Sequence, residues 1–317
     1  MVVKTEHPPV DNAFRGPVRG GAADPTFAGA LSFMRRRYSR DLAGVDAVVW
    51  GVPFDCATSN RPGARFGPQA IRRASAIFDG DPQYPSGLDP FETTVVVDRG
   101  DCWIDHGDTA GVPAAIEAEA AEIVASGAHL LTLGGDHSVT LPLLRAHARR
   151  HGPLALVQFD AHQDTWDDGG GGRVSHGSFV TTAVREGLIR PEMSIQIGIR
   201  TVAPQDCGLA ILDAYAVHAG GIESVAQAVR DRVGDAPAYL TFDIDVLDPA
   251  FAPGTGTPVA GGLSSAQALM LMRALAALDW RGMDVVEVAP AYDHADITAI
   301  AASTVVQHYL QFCIRRA

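Results

Sequence analysis

The sequence predicts an α/β fold in which a mainly parallel sheet is covered by helices on both faces, and three observations lead there. From residue 47 onward, short apolar runs alternate with segments of 3.6-residue periodicity. The runs are continuously apolar instead of alternating, the pattern of strands buried on both sides. Acidic residues and histidines gather just past the ends of several runs, where open α/β sheets bind their ligands.

Taken in order, residues 1–44 are rich in Gly and Pro (Pro8, Pro9, Gly16, Pro17, Gly20, Gly21, Pro25), with one short helix predicted over 27–37. They read as an N-terminal arm, packed on the domain or on a neighbouring subunit. Residues 45–317 read as a single catalytic domain, since α/β architectures reach this length as one unit. Strands are predicted at 47–52, 94–98, 129–133, 154–159, 194–199, 239–242 and 284–288. Helices are predicted at 69–77, 113–125, 141–150, 180–186, 222–233, 264–278 and 297–314. The acidic, glycine-rich stretch 167–172 reads either as a flexible loop over a site or as a plain surface connection.

Composition excludes several classes. Hydrophobic residues at 47% and charged residues at 20% are ordinary for a soluble globular chain. No apolar run reaches the roughly 18 residues of a membrane span, and the first residues have no hydrophobic signal region, so a cytoplasmic protein is expected. Cys56, Cys102, Cys207 and Cys313 lie far apart without a C-x-x-C pair, which fits reduced thiols. A formal charge of -12 disfavours nucleic acid and anionic membrane as partners and favours a cationic small molecule, although it serves solubility equally well.

The chemistry is carried by Asp160, His162 and Asp164, at alternate positions directly after the run 154–159. Alternate side chains of an extended segment share a face, so the three can line one polar site. Three further strand ends supply matching groups: Gly134-Gly135-Asp136-His137, Asp243-Ile244-Asp245 and Glu287. If these converge, His137, Asp160, His162, Asp164, Asp243 and Asp245 exceed the needs of one ion, and two divalent cations about 3.5–4 Å apart is the economical reading. Imidazole and carboxylate donors without a nearby thiolate suit hard or borderline ions, manganese first. No G-x-x-x-x-G-K-[ST] and no G-x-S-x-G is present, and Val259 stands where the third glycine of a dinucleotide fingerprint belongs. Metal-assisted hydrolysis remains.

In these residues the chain resembles the ureohydrolase family, the arginases and agmatinases, over nearly its whole length after residue 44. The shared motifs include Gly134 to Ser138, Asp160 to Asp164, His176-Gly177, Gly198-Ile199-Arg200, Phe242 to Pro249 and Ala252 to Pro258. The stretch from Met283 to Asp293 is similar to bacterial agmatinases in particular. The resemblance implies a three-layer α/β/α fold, two manganese ions per subunit, and a homo-oligomer, trimer or hexamer. It implies His137 and Asp164 as ligands of one ion, His162 and Asp245 of the other, and Asp160 and Asp243 as bridges.

The resemblance also implies roles in catalysis. Asp164 holds the attacking hydroxide, Glu287 pairs with the guanidinium, and His176 delivers or relays a proton to the leaving amine. Thr257 contacts the guanidino group or holds its loop. Trp166 stands where arginases carry an Asn that helps hold the α-carboxylate. Arg200 is followed by Thr201-Val202-Ala203, where arginases have Asp-x-Asp. Without those anchors an α-amino acid would leave charged groups unpaired. The expected reaction is therefore agmatine to putrescine and urea, with 4-guanidinobutyrate or another guanidino compound as the alternative substrate. Gln163, where many agmatinases have Thr, is expected to point away from the ions.

Overall fold

The computed structural model describes residues 26–78, 84, 86–87, 89–105, 107–167 and 174–314. Among the described residues eight parallel strands form one sheet: β1 (Ala47–Gly51), β2 (Val96–Asp101), β3 (His129–Leu133), β4 (Ala155–Phe159), β5 (Ile195–Ile199), β6 (Ala210–Asp213), β7 (Pro237–Asp243) and β8 (Asp279–Val286). Their order is β2-β1-β3-β8-β7-β4-β5-β6. The α-helices are α1 (Gly67–Ser75), α2 (Val112–Ala125), α3 (Thr140–His151), α4 (Phe179–Arg185), α5 (Ala214–Gly220), α6 (Ile222–Val233), α7 (Ser265–Ala274) and α8 (Ile297–His308).

Strand side chains alternate between two cores. Val49, Leu131, Val157, Ile197, Leu240 and Met283 pack with residues of α1, α5, α6, α7 and α8. Val48, Trp50, Leu130, Leu156 and Tyr239 pack with residues of α2, α3 and α4 on the opposite face. The result is the expected three-layer α/β/α arrangement.

The structure departs from expectation in several places: α5 (Ala214–Gly220) went unpredicted, β2 starts and ends later than predicted, α7 ends at Ala274 instead of 278, and three further differences have a plain cause. β6 went unpredicted because it has four residues at a sheet edge and is only half buried, so it lacks an apolar run. β8 begins five residues before its predicted start, since Arg281 and Gly282 interrupt the apolar signal. The helix predicted over 27–37 is a single 3-10 turn, Phe33–Arg35, where Met34 and Arg35 have φ of 47° and 53°, incompatible with a continuing right-handed helix.

That turn is tied to the body of the domain. The Phe33 amide donates to Asp98 (2.7 Å) and the Met34 amide to Ser75 (2.7 Å), while Asp98 also pairs with the buried Arg72 guanidinium (2.7 Å). The first 25 residues of the arm, and the 168–172 part of the glycine-rich loop, lie outside the described residues. All four cysteines are free thiols. Among the described residues no helix is long and apolar enough to cross a membrane.

Candidate metal centre

The six predicted ligands come together. His137 opens a 3-10 turn after β3, Asp160 to Asp164 form the loop that leaves β4, Asp243 ends β7, and Asp245 lies in the 3-10 turn that follows it. Because β3 and β4 flank the β8–β7 pair, these ends converge at the carboxyl edge of the central strands. His137 Nδ1 lies 3.1 Å from Asp160 Oδ2, 3.0 Å from Asp164 Oδ2 and 3.1 Å from Asp243 Oδ2. His162 Nδ1 lies 3.0 Å from Asp245 Oδ2 and 3.5 Å from Asp160 Oδ1. Two sets of donors spaced to hold a cation follow: His137, Asp160 and Asp164, and Asp160, His162 and Asp245. Asp160 belongs to both, through different oxygens.

The loops are locked by their own backbone. The His162 amide donates to Asp160 Oδ1 (2.6 Å), the Asp245 amide to Asp243 Oδ1 (2.8 Å), and the Ala161 amide to Asp245 Oδ1 (3.0 Å). Asp164 takes φ of 52°, a strained left-handed value that aims its carboxylate back at His137. Gln163 points away from the ligands, as expected, and accepts from the Ala203 amide (2.7 Å).

Electrostatics test whether these residues fit a cation. Burial opposes a charge on His162, yet Asp245 and Asp160 outweigh it and push the ring up to about 12. Burial likewise opposes a charge on His137, and the adjoining carboxylates of Asp160, Asp164 and Asp243 outweigh it and push the ring well above the usual histidine range. Burial raises Asp164 to about 6, helped by the charge of Asp160, and raises Asp243 further, helped by Asp245. The cluster therefore holds protons that solvent-exposed groups would lose, the mark of excess negative charge in a dry place. A divalent cation would take the place of those protons. His137 Nδ1 is buried and makes no hydrogen bond although three carboxylates surround it, which is the condition of a ligand nitrogen. The donor set fits.

Beside the ligands, a cavity of about 440 Å³ is lined by His162, Asp164, Trp166, His176, Asp243 and Thr257 among others. His176 Nδ1 is 3.0 Å from Glu287 Oε1, and its Nε2 accepts from the Ser59 amide (3.1 Å), with the Ser59 hydroxyl at 2.7 Å. Burial opposes a charge on His176, but Glu287 raises its pKa. Glu287 Oε1 also accepts from the His137 amide (2.9 Å), while Oε2 is buried without a partner. Glu287, like Asp164, has a positive φ, 63°. Thr257 Oγ1 is 3.4 Å from Asp245 Oδ2, so it both lines the cavity and leans on a ligand.

The family model described as "Arginase family" matches residues 45–311. The chain belongs to the arginase family. Within it, an agmatinase of Chromobacterium violaceum is 52% identical over 298 residues, 94% of this chain and 92% of that one. A solved structure titled a hypothetical agmatinase from Burkholderia thailandensis has a TM-score of 0.93 and 52% identity, covering 96% of this chain and 97% of its own. A proclavaminate amidino hydrolase from Streptomyces clavuligerus has a TM-score of 0.88 and 40% identity, covering 93% and 100%. This arginase-family chain is an amidinohydrolase that depends on metal.

Sequence reasoning missed some residues of the site. Ser59 sits in an irregular loop without a periodic signal. Gln158 and Thr241 did carry one: each stands two residues before a candidate ligand at or just past the end of its strand, and each touches the candidate ligand set (Gln158 to Asp160, 2.7 Å; Thr241 to His137, 2.8 Å).

Proposed function

We propose that the protein hydrolyses agmatine to putrescine and urea. The observation that carries this reading is the charge of the cavity. Among the described residues its lining includes no Lys or Arg, and it includes Asp167, a carboxylate outside the six candidate ligands. A substrate with a cationic tail is welcome there, and one with a carboxylate tail finds no partner. The similarity to proteins named agmatinase supports the same choice.

In this reading His137, Asp160, His162, Asp164, Asp243 and Asp245 would hold two divalent cations, with Asp160 and Asp243 available to both. Oxygen and imidazole donors without thiolate favour manganese. When bound, such a pair lowers the pKa of water enough to supply a nucleophile near neutral pH. The chain's own residues do the rest. The unpartnered Glu287 Oε2 accepts from the planar guanidinium and orients its carbon for attack. Asp164 holds the attacking oxygen by a hydrogen bond. His176, held by Ser59 and Glu287, passes a proton to the departing amine as the C–N bond breaks. Thr257 supports Asp245 and borders the guanidino position.

Residues 45–317 then act as one catalytic domain behind the 1–44 arm, in a homo-oligomer, trimer or hexamer, in the cytoplasm, where free thiols stay reduced. The test is urea release measured side by side on agmatine, 4-guanidinobutyrate, 3-guanidinopropionate and arginine. An unpaired buried charge costs about 3 kcal/mol, so kcat/KM for agmatine should exceed the others by roughly 100-fold. Equal or better turnover of 4-guanidinobutyrate would overturn the assignment.

A further inference from the structure

Directly beneath the ligands, one level of the sheet is polar. Thr132, Asp284, Thr241, Gln158 and Gln196 stand side by side in register on β3, β8, β7, β4 and β5. All five are fully buried. Polar groups in such a place are costly unless bonded, and several of their bonds run toward the ligands. Gln196 donates to Gln158 (2.8 Å), which donates to Asp160 (2.7 Å). Asp284 accepts three hydroxyls, from Thr140 (3.0 Å), Tyr239 (2.9 Å) and Thr241 (2.6 Å). Burial pushes its pKa up, while this shell of donors favours the ionised form.

Counting protons along the chain gives a definite answer. Thr241 has one hydroxyl proton, and it goes to Asp284 Oδ1. Thr140 lies 3.5 Å from Thr241 Oγ1, but its own proton goes to Asp284 Oδ2. Thr241 Oγ1 therefore has only lone pairs to offer His137 Nε2, 2.8 Å away, so Nε2 carries the ring's N–H. In the neutral ring the lone pair is then on Nδ1, the atom that faces Asp160, Asp164 and Asp243.

We propose that Asp284, acting through Thr241, is a positioning residue of the metal centre: it fixes the tautomer and the ring angle of His137 so that Nδ1 is presented to a divalent cation. Asp284 touches neither cation nor substrate. The inference rests on the metal-centre reading above, and its test separates the two.

The test titrates Mn²⁺ into the metal-free, full-length protein by calorimetry, with circular dichroism to confirm folding. Thr241→Val keeps the shape and removes the relay; Thr241→Ser keeps the relay. The Val variant should lose about 10- to 100-fold in affinity at one of the two sites, the usual scale for an outer partner of a ligand. The Ser variant should stay within about 3-fold of the parent at both. Asp284→Asn should weaken the same site, and the double variant should lose no more than Thr241→Val alone, because the two residues act in series. If Thr241→Val does not fold, Asp284→Asn against Thr241→Ser carries the comparison. Unchanged affinity in folded Thr241→Val or Asp284→Asn, equal loss at both sites, or additive losses would overturn the proposal. Failure of the parent protein to bind Mn²⁺ would overturn the metal-centre reading itself.

Discussion

Glu287→Gln removes one charge from the candidate guanidinium partner while keeping its size, and the structure sets the size of the effect. The Glu287 side chain is 1% exposed. Its Oε1 is committed to the His137 amide and to His176, at 2.9 and 3.0 Å, and Oε2 is the free acceptor. An amide that keeps both bonds must turn its NH₂ to the Oε2 position, where it meets the substrate donor to donor. Breaking a buried, charge-assisted pair in this way costs about 2–5 kcal/mol, or roughly 30-fold to several-thousand-fold in kcat/KM. Urea release from agmatine is the assay, with metal content measured on the same preparations. The expected result is a loss of at least ~30-fold with both metals retained. A loss below ~3-fold would refute the pairing, and a loss that tracks depleted metal would reassign Glu287 to support of His137.

Three further outcomes are expected. Exhaustive chelation should abolish urea release and added Mn²⁺ should restore it; full activity without metal would remove the basis of the mechanism. His147 is fully buried, and burial pushes its pKa down to about 4. The unfolded chain protonates this residue near pH 6.5 and the folded chain does not, so its cost is absent above that pH and grows as pH falls toward about 4, by up to ~1.4 kcal/mol per unit. Denaturant unfolding of the metal-free His147→Gln variant should therefore show a shallower acid slope than the parent, and equal slopes would refute this. In Gly135→Ala the new Cβ would stand 1.7 Å from the Phe54 carbonyl oxygen. Backbone has to move, and Glu287 hangs from the Gly135 carbonyl (2.8 Å), so a stability loss of about 1–3 kcal/mol or more and weakened metal binding should appear together in melting and metal assays.

The candidate ligands could be grouped from the sequence because each stands at or just past the end of a strand whose apolar run is plain, and the parallel sheet delivers those ends to one edge. Asp160, His162 and Asp164 needed only the period of a strand to be grouped. The polar level beneath them was not legible. Thr132, Gln158, Gln196, Thr241 and Asp284 are single polar residues within or beside apolar runs, and only the cross-strand register, which no local pattern encodes, aligns them. Nor does anything mark Asp164 and Glu287 as left-handed, since neither is a glycine and the strain is imposed by surrounding contacts. β6 was missed for want of burial, and the 3-10 turn at Phe33 because long-range bonds to Asp98 and Ser75 override its local helical pattern.

The order β2-β1-β3-β8-β7-β4-β5-β6 has a consequence for synthesis on the ribosome. A nascent polypeptide that stops short of residue 237 owns two three-stranded ribbons, β2-β1-β3 and β4-β5-β6, with no edge in common. Only the arrival of β7 and β8 welds them, and Asp243 and Asp245 arrive on the same segment. Unfinished chains thus present bare edges to chaperones and neighbours while lacking two of the six donors. The six candidate donors can therefore stand together only once β7 and β8 have joined the two halves.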